Sequence, residues 1–149
     1  MGELFLDMYH SDLNIAKVDD SVVIVVREYP LLSRILTENT LVEGGWRYDY
    51  IGSFPSYLSS IFSKPVQWWT FPVFNLQGRE LLSARIDWIE PGDNKDFDNI
   101  TDYRWRLVEP RFIEGGLLYA VSNNSFKSQE QARLDFDRCW DKIKRKDFQ

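Results

Sequence analysis

The sequence predicts an α+β fold: a mainly antiparallel sheet of about six to eight strands and about three helices, the last packed across the sheet. Two periodicities and one compositional bias lead there. Leu82, Ala84, Ile86 and Trp88 alternate with polar residues, as do Tyr103, Trp105 and Leu107, which is the period of a half-buried strand. From Ser128 onward the spacing changes, and Ala132, Phe136, Cys139, Trp140 and Ile143 fall on one face of a helix. Six Trp, seven Tyr and ten Phe supply large side chains that favour strands and cores. A chain of 149 residues fits one domain, 1–149, whether it stands alone or is one part of a larger chain or assembly.

Taken in order, "GELFLDMYH" is strand-like, and the Asp19-Asp20 turn introduces the β-branched run Ser21 to Tyr29, which suits a strand covered on both faces. Pro30 opens a short helix with Leu31, Leu32, Ile35 and Leu36 at helical spacing, broken at Gly44-Gly45. Trp46, Tyr48 and Tyr50 then alternate with Arg47 and Asp49 in a strand. A second helix is expected after Ser53, with Pro55 in its first turn and Pro65 at its end. Gln77-Gly78-Arg79 marks a hairpin, and Pro72 should put the preceding strand at an edge or on a bulge. Residues 90–102 form the one long polar loop. Ser128 and Gln131 fit a capping box at the start of the last helix. A weak echo between "WTFPVFNLQGRELLSAR" and "WRLVEPRFIEGGLLYAVS" is compatible with a diverged strand-strand(-helix) repeat.

Several chemistries are disfavoured. The net charge is −5, and the only dense basic run, Lys142 to Lys146, sits where cations complement a helix dipole, so nucleic acid is not the expected partner. No apolar run approaches membrane-spanning length and no signal-peptide pattern opens the chain, which together with a lone cysteine points to a soluble, cytoplasmic protein. The two Asn-x-Ser/Thr sequons, at Asn99 and Asn123, then read as chance matches. His10 is the only histidine, no G-x-S-x-G elbow presents a serine, and Cys139 lies on an apolar helix face as a small hydrophobe. Asp93, Asp96, Asp98 and Asp102 could offer oxygen ligands, but the glycine and glutamate of a calcium loop are missing from their places. No phosphate loop occurs. No catalytic residue, metal or cofactor is therefore expected.

The stretch from Asp102 to Lys144 resembles the YegP-like small bacterial domains, a family of unknown function. The residues that carry the likeness are Trp105-Arg106-Leu107, Gly115-Gly116, Ala120 to Ser122, Phe126 to Ser128, and Ala132. The sequence departs from the family in the long turn "EPRFIEGG". The resemblance implies a strand-strand-helix unit over 102–145 and brings no catalytic residue with it.

The functional expectation is a non-catalytic protein-interaction or structural module acting through an aromatic surface or a strand edge. Its candidate binding residues are Trp46, Tyr48, Tyr50, Phe54 and Tyr57, because strand alternation can bury only one face of "GGWRYDYIGSFPSY". A protein partner or self-association follows. The competing reading is a small enzyme whose paired carboxylates leave no mark on the sequence; it requires a pocket holding two of them.

Overall fold

The computed structural model describes residues 15–17, 20–53, 65–88, 102–110 and 117–145. They form one eight-stranded sheet in which every described pairing is antiparallel. The strands are β1 (Ile15–Lys17), β2 (Val22–Val25), β3 (Val42–Glu43), β4 (Arg47–Ser53), β5 (Pro65–Phe74), β6 (Glu80–Trp88), β7 (Tyr103–Val108) and β8 (Leu118–Ser122). Their order is β1-β2-β8-β7-β6-β5-β3, and β4 also pairs with β5, beyond the end of β3. Among the described residues two α-helices accompany the sheet, α1 (Tyr29–Glu38) and α2 (Gln129–Lys144), where about three were expected for the chain. The helix expected after Ser53 lies at 54–64, outside the described residues, as do the opening strand-like stretch and most of the polar loop at 90–102.

Helix α2 forms for the reasons its sequence suggests. The Ser128 hydroxyl accepts the N–H of Gln131 at 3.1 Å, satisfying one of the donors that a helix start leaves open. Gln131 reaches back one residue further than a capping box requires, and its Oε1 accepts the Lys127 N–H at 3.0 Å. Ala132, Phe136, Cys139, Trp140 and Ile143 are all buried. They meet Phe71, Val73, Leu82, Ala84, Ile86, Trp105 and Leu107 from the sheet, and Leu32 from α1, in one continuous core. Phe136 sits at its centre, 5.2 Å from the Trp105 ring, 5.3 Å from Phe71 and 5.5 Å from Trp140. Each fully buried side chain of this size contributes roughly 1.5–3 kcal/mol. This packing holds the helix on the sheet.

The opposite face of the sheet is buried as well. Val23, Val25 and Val108 have essentially no exposure, and Arg104 retains only 5%. Asp87 lies among three arginines there, 2.6 Å from Arg106 and 3.9 Å from Arg104, while Arg85 donates to the carbonyl of Pro110 at 3.1 Å. Burial, and then the Arg106 charge beside it, lower the affinity of Arg85 for its proton.

Three local expectations are corrected. The β-branched run leaves the strand at Val25 and turns through a short 3-10 segment, Val26–Glu28, into α1. Pro30 stands in the first turn of α1, where its fixed φ and missing N–H suit a helix start, so the strand has to end before it. Helix α1 stops at Glu38, with Asn39 extended and its side-chain amide on the Ile35 carbonyl at 3.0 Å. Gly44-Gly45 interrupts the sheet edge instead, between β3 and β4.

The third, Pro72, is corrected only in part: β5 is not an edge strand, but a register irregularity adjoins the residue. It lies inside the sheet, with β6 on one side and the β3–β4 edge on the other. The Gly44 N–H donates to the Pro72 carbonyl at 2.8 Å, so the backbone groups of Pro72 face the interruption between β3 and β4. The missing N–H therefore falls where no ladder partner stands. Gly44 has to be glycine for this approach, since a Cβ there would lie 2.8 Å from the Pro72 ring. A register shift between Val73 and Phe74 follows immediately.

Candidate interaction surface

Two of the five candidate residues, Trp46 and Tyr48, have described side chains. Tyr50 is placed in β4 by its backbone, and Phe54 and Tyr57 lie outside the described residues. The structure separates the two. Trp46 is half-buried: its ring packs edge-on against Phe71 at 5.4 Å and Phe136 at 5.6 Å, and its Nε1 donates to Asp137 of α2 at 2.8 Å. It is a fastening between the sheet edge and the helix. Tyr48 is 50% exposed. Its ring lies 5.2 Å from that of Trp69, its direct cross-strand partner on β5.

Trp69 was missed as a member of this surface. It is partly buried against the core, and the guanidinium of Arg133 stands 3.8 Å from its ring centroid. An arginine so close to an indole face gains a cation–π contact and restrains the ring. The sequence gives no sign of this contact, since the local partners it offers Arg133 are Glu130 and Asp137, at helical spacing.

The same flank of α2 is fastened at three levels. Arg133 meets Trp69 near the start of the helix, Asp137 meets Trp46 in its middle, and Lys144 meets Glu43 of β3 at 2.8 Å near its end. Lys144 also approaches Asp141 at 3.3 Å, and these partners hold its ammonium above the ordinary lysine value, the Glu43 hydrogen bond first. The described part of the basic run thus serves the helix end and the sheet edge.

The backbone of β4 adds a second property. The Pro72 carbonyl points toward the β3–β4 edge, so Thr70, two residues earlier, points the same way. Arg47 is its direct partner, so the backbone groups of Arg47 and Asp49 face β5. Those of Tyr48 and Tyr50 then face away from the sheet. Among the described residues, β5 is the only strand paired with β4. Tyr48 therefore presents both an exposed ring and an outward amide and carbonyl.

On the other flank of α2, Ser125, Phe126, Lys127, Gln131, Leu134, Asp135 and Arg138 line a shallow depression of about 510 Å³. Its one carboxylate is Asp135, which is 4% exposed and already committed. Asp135 accepts the indole N–H of Trp105 at 2.8 Å and pairs with Arg138, and the Cys139 thiol lies 3.8 Å from it. Cys139 is a buried free cysteine. Among the described residues, no group of three or more His, Cys, Asp or Glu side chains gathers to hold a metal ion. Asp102, from the acidic loop, pairs with Lys127 at 2.9 Å. Among the described residues, no helix is long and apolar enough to cross a membrane.

No family model, curated protein or solved structure matches the chain.

Proposed function

We propose that the chain is a non-catalytic protein-interaction module, acting through the aromatic surface and strand edge of β4. The half-exposed Tyr48 supports this most directly: its ring is backed by Trp69 and Arg133, and its backbone groups point outward. A rigid aromatic already held on one side loses little freedom when a partner covers the other, which suits it to anchoring. An edge strand with outward amides supplies a template for β-augmentation. Asp135, the carboxylate in the depression beside Phe126 and Leu134, is taken up by Trp105 and Arg138. The YegP-like resemblance of 102–145 belongs to the same proposal. The order β7, β8, α2 supports it, and it brings no chemistry of its own. We place the protein in the cytoplasm, with the buried free thiol of Cys139 in support, and without a nucleic-acid partner.

Photo-cross-linking from position 48 tests the reading. A benzophenone amino acid replacing Tyr48 should yield one discrete cross-linked species in a host extract, whereas the same group at exposed Leu76 should yield none. Equal, diffuse labelling from both positions would overturn the module.

A further inference from the structure

We propose that the occupant of the β4 edge is a second copy of this chain, paired antiparallel about a two-fold axis at Tyr48. The inference rests on the interaction reading above and goes beyond it by naming the partner and the register. A two-fold contact brings one patch against itself, so the patch has to be complementary to its own rotated copy. The sequence of β4 has that property around Tyr48: Arg47 precedes it and Asp49 follows. With Tyr48 opposite the partner's Tyr48, Arg47 of each copy falls opposite Asp49 of the other, and both positions lie on one sheet face. Opposite charges in directly facing positions stabilise a strand pair, and like charges oppose it.

The backbone agrees with this register. The outward N–H and C=O of Tyr48 would exchange two hydrogen bonds with those of the partner's Tyr48, making it a hydrogen-bonded pair. Positions 47 and 49 would then form non-hydrogen-bonded pairs across the axis. Neighbouring registers do worse. An axis at Asp49 sets two aspartates against each other, and an axis at Tyr50 sets Arg47 opposite Ser53 and leaves both charges unmatched. The exposed Tyr48 ring comes beside its copy, and each is backed by a Trp69 that Arg133 already holds. Gly44-Gly45 interrupts the edge ahead of Trp46, so the paired stretch is short and the dimer is of the weak, reversible kind.

A charge swap tests the register. In sedimentation equilibrium of the full chain, Arg47→Asp and Asp49→Arg should each weaken dimerisation by about tenfold or more, since each puts like charges opposite. The double variant Arg47→Asp/Asp49→Arg restores the pairing and should return the dissociation constant to near the parent value. Circular-dichroism melts establish that each variant is folded. A second measurement does not depend on charge. In a Cys139→Ala background, Tyr48→Cys should form an interchain disulfide on mild oxidation, because hydrogen-bonded strand pairs place Cα atoms about 5.5 Å apart. Leu76→Cys is the exposed control. A chain that stays monomeric throughout, or a double variant no better than the singles with cysteine 48 no faster than cysteine 76, overturns the second-copy proposal. If the position-48 photo-cross-link then carries a different protein, the module survives and only the self-pairing falls.

Discussion

Trp105 and Trp46 each give an indole N–H to an aspartate of the same helix, at the same 2.8 Å, and the two aspartates are two residues apart. The bonds are alike in chemistry and differ in surroundings. Trp105 is fully buried and Asp135 nearly so, whereas Asp137 is exposed and Trp46 only half-buried. A buried donor that loses its acceptor bears the full desolvation penalty, while an exposed one turns to water. The inner pair should therefore hold the fold, and the outer pair should mainly orient the sheet edge beside Tyr48. The comparison teaches that bond length says little about what a bond contributes.

The largest test removes the inner ring. Trp105→Ala should cost roughly 3–5 kcal/mol in denaturant melts, since it empties the space beside Phe136 and removes one hydrogen-bond partner of the buried Asp135 carboxylate. A loss below about 1 kcal/mol would place Trp105 among surface groups by the usual scale and break the comparison.

Removing each acceptor comes next. Asp135→Ala should destabilise by about 1–3 kcal/mol, because the Trp105 N–H is left buried without its partner. Asp135→Asn keeps an acceptor oxygen and should recover part of that loss. Asp137→Ala, by contrast, should stay within about 1 kcal/mol of the parent. Equal costs for the two alanine variants, measured in the same urea series, would remove burial as the deciding variable.

The smallest effect is confined to alkaline pH. The Tyr119 hydroxyl is pushed up to about 12, first by burial and then by the charges of Glu109 and Glu28. A proton held more tightly in the fold than in the unfolded chain contributes stability that is fully present below about pH 10. It is lost as pH rises from there through about 12. Tyr119→Phe has no such proton to lose, so its melting temperature should fall less steeply than that of the parent across this window. Parallel curves would show that Tyr119 titrates alike in both states.

The parts of the fold that were legible share one trait: their signals are local. The period of two in Leu82, Ala84 and Ile86, and the helical stripe from Ala132 to Ile143, are properties of short windows, and these positions are buried as expected. Ser128 announces the start of α2, and Gly78, at φ +85°, the hairpin between β5 and β6. Of the candidate surface, Tyr48 is half exposed although it lies on the same sheet face as its cross-strand partner Trp69, which alternation alone does not foretell. Trp46 was assigned to that surface by the same alternation, yet it packs on Phe71 and Phe136, because its position ahead of β4 faces the helix.

The sequence by itself determined most of the strands, the last helix and which stripe of α2 is apolar, and it supplied the large aromatics that enter the core. These follow from repeat spacing and from φ preferences at Pro, Gly and Ser, which act within a few residues. Tertiary structure alone decided the rest. Asp135 falls within the apolar stripe of α2, and only the arrival of Trp105, 30 residues earlier in the chain, gives that carboxylate a reason to be buried. Asp137 finds Trp46 across 91 residues. Pro72 is tolerated inside the sheet because the neighbouring edge breaks at Gly44, a coincidence of two distant segments that neither records alone. A local pattern states how much apolar surface must be covered. What covers it, and which polar group is satisfied on the way, depends on contacts between segments whose separation the chain does not encode in any window.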